Sequence, residues 1–169
     1  MDGLVAFAAT YLLFVVAAGA VLAWVMARRP DRVPFAVAGV VAAAVVGILV
    51  KVAGMVWTDP RPFVVDHVRP IIQHGVDNGF PSDHTALAFA VSLVVLTRNR
   101  TVGLVLLVVS AVLGAARVAA LVHHVPDILA GVLIGVVAAG VGLWAARHTP
   151  RRFTGQGPGA PTTAGVTGR

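Results

Sequence analysis

The sequence contains no cysteine and no glutamate, and it has a single lysine, Lys51. Without cysteine, neither a disulfide framework nor a thiolate metal site can form. Charged residues make up 12% of the chain, whereas soluble domains usually contain about 25%. This scarcity of charge argues against an ordinary water-soluble domain.

Apolar sequence is present in excess. Hydrophobic residues make up 58% of the chain, and the mean hydropathy is +0.90. Soluble domains are usually about 45–50% apolar, and a chain of 169 residues has too little interior for the surplus, so we expect lipid around it. The net charge of +6 would suit a nucleic-acid-binding protein. However, the arginines lie between apolar segments, which indicates orientation in a membrane and no nucleic-acid partner.

Five apolar segments are candidates for crossing a bilayer, which takes roughly 20 apolar residues per helix. They are residues 4–26, 34–56, 81–96, 102–122 and 126–146, the third being the shortest. We therefore predict an all-α, polytopic membrane helix bundle with about five transmembrane helices. Residues 1–150 form the predicted membrane domain. Residues 151–169, rich in glycine, proline and threonine, are a predicted disordered cytoplasmic tail.

The arginines predict the orientation of the bundle. They follow the first, third and fifth segments, at positions 28, 29, 32, 98, 100, 147, 151 and 152. The positive-inside rule makes that side cytoplasmic. The first segment has Asp2 in place of a basic start, which favours a retained anchor over a cleaved signal peptide. The N-terminus, the loop 57–80 and the turn 123–125 are then predicted outside, and the C-terminus inside.

Two ionisable residues fall inside predicted spans, where charge is costly and usually marks function. Lys51 and Arg117 each lie near the outer end of a predicted helix, roughly 8 Å deep at 1.5 Å per residue. Snorkelling of the lysine stem to the interface is an equally good explanation of Lys51 taken alone. Arg117 is harder to explain in this way, because its segment turns back almost at once at a pair of histidines.

Three distant stretches bring further polar residues to this outer level. The set comprises Lys51, Arg61, Arg117, Ser82, His84, His123 and Asp127. Cations suit the oxygens of a phosphoryl group, and a helix N-terminus beginning near Pro81 offers free amides to the same anion. One histidine can attack phosphorus while another protonates the leaving oxygen, and a carboxylate can orient the attacking ring. The set therefore predicts phosphoryl transfer at the outer interface.

Other chemistries explain the set less well. A metal site is disfavoured because His123 and His124 would point apart on a helix and no histidine pair shares a face at metal-ligand spacing. A serine hydrolase using Ser82 would leave three cations without a role. A small transporter would place its charges near the midplane, on broken helices. A non-catalytic membrane partner that kept the motifs is a further alternative.

Three motifs in this order resemble the type 2 phosphatidic acid phosphatase superfamily. They are Lys51 with Arg61-Pro62, then Pro81-Ser82-Asp83-His84, and then Arg117-x5-His123-x3-Asp127. The resemblance covers residues 51–131. It implies that His123 attacks phosphorus to form a phosphohistidine, that Asp127 orients His123 and that His84 protonates the leaving oxygen. It further implies that Lys51, Arg61, Arg117 and Ser82 hold the phosphate and that no metal or other cofactor is needed. We group Asp83 with the phosphate-binding residues.

The chain departs from the family pattern at two positions. Nine residues separate Lys51 from Arg61, more than the family spacing, so Lys51 can sit differently. Asp83 stands where the family usually has glycine. The form Pro-Ser-Asp-His-Thr resembles the bacitracin-resistance subgroup of undecaprenyl-diphosphate phosphatases. This implies a polyprenyl diphosphate as the membrane lipid substrate, with phosphatidate, phosphatidylglycerol phosphate and a prenyl monophosphate as alternatives.

The choice between His123 and His124 as the nucleophile rests on where the fourth helix ends. In a continuous helix, Arg117 and His124 share a face because they are seven residues apart. Pro126 disfavours helix at Val125, and the family spacing favours His123. Arg69-Pro70 repeats the Arg61-Pro62 pair but lies farther from the second helix, so it is the weaker candidate. His67, His74 and His148 are expected to be solvated.

Overall fold

The structure, a computed structural model, describes residues 1–149. That part of the chain is helical and contains no named strand, only an isolated bridge between Pro60 and Asn78. The helices are α1 (Asp2–Met26), α2 (Arg29–Val56), α3 (Pro62–Val65), α4 (Asp83–Leu96), α5 (Arg100–Ala119) and α6 (Val125–Arg147). The predicted cytoplasmic tail, 151–169, lies outside the described residues.

Four helices, α1, α2, α5 and α6, are long and apolar enough to cross a membrane. The remaining apolar helix, α4, has 14 residues and spans about 21 Å at 1.5 Å per residue, short of the roughly 30 Å hydrocarbon core. Large apolar side chains such as Leu129 and Leu133 on α6 are exposed. An exposed apolar surface of this kind suits lipid. The predicted all-α membrane bundle is confirmed, with its third span shorter than the others.

Helix α4 lies at the centre of the bundle and packs against α1, α2, α5 and α6. Glycines on α6 allow close approach to its neighbours. A Cβ at Gly131 would lie 2.6 Å from the Ser82 carbonyl oxygen, and one at Gly135 would lie 2.7 Å from that of Ala86. Small residues at such contacts let membrane helices pack closely in the absence of a hydrophobic driving force. The α4–α6 contact thereby fixes the start of α4 against the start of α6.

Helices α1 and α2 diverge, since α1 packs mainly on α5 and α2 mainly on α6, with α4 beneath both. The gap between them, floored by α4, is here called the α1–α2 crease. One cavity of about 220 Å³ lies between Ala20, Gly39 and Val91. A second, of about 250 Å³, lies between Gly47 and Leu87 and is also lined by His84. The second is here called the outer cavity and the first the inner cavity. The crease is apolar along its length and ends at polar residues.

The helices alternate in direction, so the two ends of the bundle differ. At one end, Arg98 lines cavities with Arg28 and with Arg147. At the other end lie the N-terminus, the loop 57–82 and the turn 120–124. The predicted separation of the arginine clusters from the site residues is therefore present in the fold.

Candidate active site

Three segments meet at the end of the bundle opposite the arginine clusters: the loop 57–82, the start of α4, and the turn between α5 and α6. Backbone hydrogen bonds join them. Phe63 donates to Leu121 (3.2 Å), Ile71 donates to Ala120 (3.2 Å), and Ser82 donates to the Asp127 carbonyl (3.1 Å). These bonds bring residues far apart in the sequence to fixed positions around the turn.

Asn78 fastens the end of the loop to the end of α2. Its amide nitrogen donates to the carbonyl oxygens of Gly54 (3.0 Å) and Trp57 (2.9 Å), and its oxygen accepts from the backbone amides of Asp59 (2.9 Å) and Phe80 (3.0 Å). Because all four groups belong to backbone, the side chain acts as a clamp. It fixes the stretch that carries Arg61.

His123 lies in the turn before α6 and is 2% exposed. Its Nδ1 is 3.4 Å from Oδ2 of the fully buried Asp127, and that same oxygen accepts the His124 backbone amide at 2.8 Å. Nε2 of His123 faces Arg117 Nη2 at 3.2 Å and Arg61 Nη1 at 3.5 Å. A guanidinium only donates, so Nε2 is the acceptor and Nδ1 carries the proton towards Asp127. The ring is thus neutral, with its Nε2 lone pair among cations.

The pKa of His123 is lowered below the ordinary histidine value. Burial is the largest cause, and the charges of Arg117 and Arg61 act in the same direction. The Asp127 carboxylate acts in the opposite direction and does not overcome them. The environment therefore favours the neutral imidazole, which is the nucleophilic form.

The structure places His123, and not His124, against the two arginines. Helix α5 ends at Ala119, earlier than the predicted end at residue 122, and Leu121 has a positive φ of 62°. The helical-face comparison that favoured His124 therefore does not apply to the turn. The His124 ring instead lies 3.0 Å from Asp59 Oδ2.

Both arginines are buried and well anchored. Arg61 is 5% exposed, and its Nη1 donates to the Val122 carbonyl at 2.6 Å. Arg117 is 3% exposed, lies in the last turn of α5, and its Nη1 donates to the Ala9 carbonyl at 3.4 Å. Within residues 1–149, Nε of Arg117 is buried and has no hydrogen-bond partner.

Two loop residues that were not predicted to belong to the site contact these arginines. Asp77 Oδ1 accepts from Arg61 Nε at 2.7 Å, and His74 Nε2 lies 3.2 Å from Arg117 Nη2. The Arg61 hydrogen bond lowers the pKa of Asp77. Burial, followed by the charges of Arg61 and Arg117, lowers the pKa of His74. His74 was expected to be solvated, and this expectation is wrong because the loop folds back over the arginines; no local pattern in the sequence signals that.

The start of α4 differs from the prediction that Pro81 opens the helix. Pro81 follows a cis peptide bond, Ser82 is the N-cap and Asp83 is the first helical residue. The buried Ser82 hydroxyl lies 3.0 Å from Thr85 Oγ1 and accepts the Thr85 amide at 3.4 Å. The Ser82 and His84 amides, predicted to be available to phosphate, are already paired, with the Asp127 carbonyl and the Asp83 carboxylate.

His84 and Asp83 form a close pair beside the outer cavity of the α1–α2 crease. Asp83 Oδ1 lies 2.7 Å from His84 Nδ1 and accepts the His84 backbone amide, also at 2.7 Å. The His84 side chain is 31% exposed and that of Asp83 is 63% exposed. Asp83 thus contacts His84 and makes no hydrogen bond to a cation within the described residues. Its grouping with the phosphate-binding residues has no support from these contacts.

Lys51 is exposed and makes no hydrogen bond or ion pair within residues 1–149. It lies one turn beyond Gly47 on the same face of α2, and Gly47 lines the cavity that also holds Asp83 and His84. Lys51 is thus one turn beyond a residue that lines this cavity, and it contacts neither Arg61 nor Arg117. Arg69 is exposed on the loop, and Arg61 occupies the buried position.

Asp59, His124 and Asp127 could in principle hold a metal ion, since each offers one ligand atom and these atoms lie within 4.8 Å of one another. Asp59 and His124 are, however, hydrogen-bonded to each other, and Asp127 already contacts His123 and the His124 amide. These partners account for the cluster as a partly buried hydrogen-bond network.

Comparison with known proteins identifies the family. The sequence model of the PAP2 superfamily matches residues 35–151. The chain belongs to the PAP2 superfamily. It is accordingly a phosphoric-ester hydrolase, and the motifs that predicted this family fall within the matched range.

Two relatives from Bacillus support this assignment. Undecaprenyl-diphosphatase BcrC of Bacillus subtilis (strain 168) is 30% identical over 81% of this chain and 70% of its own length. The bacitracin transport permease protein BcrC of Bacillus licheniformis is 32% identical over 86% of this chain and 72% of its own. One relative is named for bacitracin transport and the other as an undecaprenyl diphosphatase. The subgroup resemblance had implied both the diphosphatase activity and the link to bacitracin.

A solved structure shares the fold of this family member. The crystal structure of Aquifex aeolicus LpxE superimposes with a TM-score of 0.68 at 24% identity, covering 85% of both chains. At this identity the likeness concerns the fold alone. It supports the helical membrane bundle described above.

Proposed function

We propose that this PAP2 protein hydrolyses undecaprenyl diphosphate to undecaprenyl phosphate and phosphate through a phosphohistidine, without a metal ion. The observation that carries the proposal is the buried His123, held between Asp127 and the guanidinium groups of Arg61 and Arg117. A neutral ring whose Nε2 faces two cations is suited to attack phosphorus while the cations hold the phosphoryl oxygens.

In the first half-reaction the oxygens of the terminal phosphoryl group accept the hydrogen bonds that the arginines donate. This frees the Nε2 lone pair of His123 to form a bond to phosphorus while the bond to the leaving oxygen breaks. His84 gives a proton to that oxygen and is left neutral. The His123 ring becomes positively charged, and the Asp127 carboxylate stabilises it, as in other histidine–aspartate pairs.

In the second half-reaction water attacks the phosphohistidine. His84 takes a proton from this water, the bond between His123 Nε2 and phosphorus breaks, and phosphate leaves. As phosphate departs, the Asp77 carboxylate can again accept a hydrogen bond from Arg61. The contact between Asp77 and Arg61 at 2.7 Å supports this exchange of one anion for another.

The α1–α2 crease supports a lipid substrate whose chain remains in the bilayer. Its outer cavity reaches His84, and its apolar lining continues between α1 and α2 towards the other end of the bundle. A hydrocarbon chain lying there would place its head group near Asp83, His84 and Lys51. If the head group enters laterally from the bilayer, the apolar chain does not have to be exposed to water.

The orientation of the bundle is part of the proposal. The arginine clusters at one end favour the cytoplasm for that end, so the candidate active site faces the outside. Hydrolysis there fits the recycling of a carrier lipid after it has delivered its cargo to the cell wall.

The test is phosphate release by the detergent-purified protein from undecaprenyl diphosphate and from phosphatidate, with a chelator present. We expect release from the diphosphate that survives the chelator and falls by at least about 10³-fold in His123→Ala, because the nucleophile is lost. His148→Ala, which removes an exposed histidine at the other end of the bundle, is the matched control and should retain activity.

Each other outcome discards a defined part of the proposal. Preference for phosphatidate would keep the mechanism and discard the cell-wall substrate. Loss of activity in His124→Ala but not in His123→Ala would reassign the nucleophile. Folded protein that releases phosphate from neither lipid would discard both as substrates of this PAP2 hydrolase.

A further inference from the structure

Asp83 contacts the side chain of the next residue, His84, which neighbouring residues in a helix do not usually do. Adjacent residues in a helix point in directions about 100° apart and do not normally face each other. Asp83 is the first helical residue, and its Oδ1 is within 2.7 Å of both the backbone amide and the Nδ1 of His84. The carboxylate thus fixes the ring to its own backbone.

We propose that Asp83 is a positioning residue for His84, an inference that rests on the proposed function. By accepting the proton on Nδ1, the carboxylate keeps His84 in one tautomer and one orientation, and Nε2 becomes the atom that exchanges protons with substrate and water. In other catalytic histidines, a carboxylate hydrogen-bonded to the nitrogen that does not face the substrate likewise fixes the tautomer and orientation of the ring. His84 and Asp83 line the same cavity, so the ring is held where a head group can reach it.

The proposal makes a prediction that depends on the leaving group. When a prenyl monophosphate is cleaved, the leaving oxygen is an alkoxide and must receive a proton as its bond to phosphorus breaks. When a prenyl diphosphate is cleaved, the leaving group is a prenyl phosphate, which departs as a stable anion. Formation of the phosphohistidine thus needs a well-placed His84 for the monophosphate far more than for the diphosphate.

The experiment compares kcat/KM for farnesyl monophosphate and farnesyl diphosphate, which carry the same chain. We expect Asp83→Ala to lower kcat/KM for the monophosphate by about 10–100-fold, the usual cost of losing a partner that orients a histidine, and for the diphosphate by less than about threefold. Asp83→Asn, which retains an acceptor oxygen, should lie between the wild type and Asp83→Ala. Asp31→Ala, in the first turn of α2 at the opposite end, controls for loss of a helix-start carboxylate.

A double-mutant cycle separates positioning from structural support. If Asp83 acts through His84, Asp83→Ala should have no further effect on the monophosphate in a His84→Ala background. Equal losses on both substrates, or an undiminished effect in that background, would overturn the inference. In either case wild-type turnover and its loss in His123→Ala would leave the proposed function intact. A wild type that releases phosphate neither from these two substrates nor from undecaprenyl diphosphate would overturn the two together.

Discussion

At the scale of single residues, the candidate site consists of histidines that are each paired with an aspartate. His123 lies beside Asp127 in the buried turn, and His84 lies beside the more exposed Asp83. The two pairs differ in their surroundings, because within residues 1–149 arginines contact His123 but not His84. This difference suits a division of labour between an attacking ring and a ring that exchanges protons.

The lowered pKa of His123 predicts where activity is lost at low pH. The folded pKa is below the ordinary value of about 6.5, because burial and the nearby arginines disfavour the charged ring. The neutral nucleophile therefore persists below pH 6.5, and activity is lost only as pH falls through the lowered pKa. We expect the acidic limb of kcat/KM to have its midpoint below about pH 6.5.

The measurement is kcat/KM against pH for two substrates whose own ionisations differ, so that the shared limb belongs to the enzyme. Recovery of activity after return to neutral pH controls for unfolding. A shared midpoint above 6.5 would mean that Asp127, and not burial, dominates the ionisation of His123.

The sequence alone predicted the residues that take part in the proposed chemistry. It did not predict the residues that reach the site only because of the path of the loop. The motif spacing predicted His123, Asp127, Arg61 and Arg117, and the structure brings these four together. His74 could not be predicted in this way, because it reaches Arg117 only through the path of a long loop. Asp77 could not be predicted either, because it reaches Arg61 through the same loop.

At the scale of helices, hydropathy predicted which segments are helical better than where they end. Five apolar segments correspond to α1, α2, α4, α5 and α6. The end of α5 at Ala119 and the start of α4 at Asp83 depend on contacts from distant segments, such as the bond from Phe63 to Leu121. Apolar residues continue beyond Ala119, so composition gave no signal for the turn that presents His123.

The α1–α2 crease contains glycines that close packing does not explain. A Cβ at Gly47, which lines the outer cavity, or at Gly39, which lines the inner one, would meet no atom within 4 Å. Neither glycine is needed for close approach between helices, in contrast to Gly135, where a Cβ would lie 2.7 Å from a carbonyl oxygen. We interpret both as positions that keep the crease open.

Filling the crease should impair long-chain substrates selectively. We expect Gly47→Leu and Gly39→Leu each to lower kcat/KM for undecaprenyl diphosphate by about tenfold, equivalent to lost burial of about two methylene groups. Phosphate release from a water-soluble short-chain diphosphate should change little, because its head group needs only the polar end. Kinetics with the two substrates, at matched detergent concentration, make the comparison.

The matched control is Gly140→Leu on α6. Gly140 is exposed, and a Cβ there would likewise meet no atom within 4 Å, but it lies outside the crease. Equal losses in all three variants, or losses on both substrates, would indicate a general effect of leucine and remove the crease from the substrate pathway.

At the scale of the whole molecule, charge asymmetry and site position are linked. The arginines at the turn between α4 and α5 and at the end of α6 share one end of the bundle, and the loop with Arg61 shares the other with His123. Positive charge next to a span is retained in the cytoplasm. The orientation of the bundle thus predicts the compartment in which phosphate is released.

The absence of cysteine makes this orientation directly measurable, because a single introduced thiol has no background. Val76→Cys places it on the exposed loop above the arginines, and His148→Cys places it on an exposed residue just after α6. We expect a membrane-impermeant maleimide to label Val76→Cys in intact cells and His148→Cys only after permeabilisation. The reverse pattern would put the site in the cytoplasm. It would leave the hydrolysis mechanism in place but require a substrate available on the inner leaflet, which excludes recycling of a carrier lipid on the outer face.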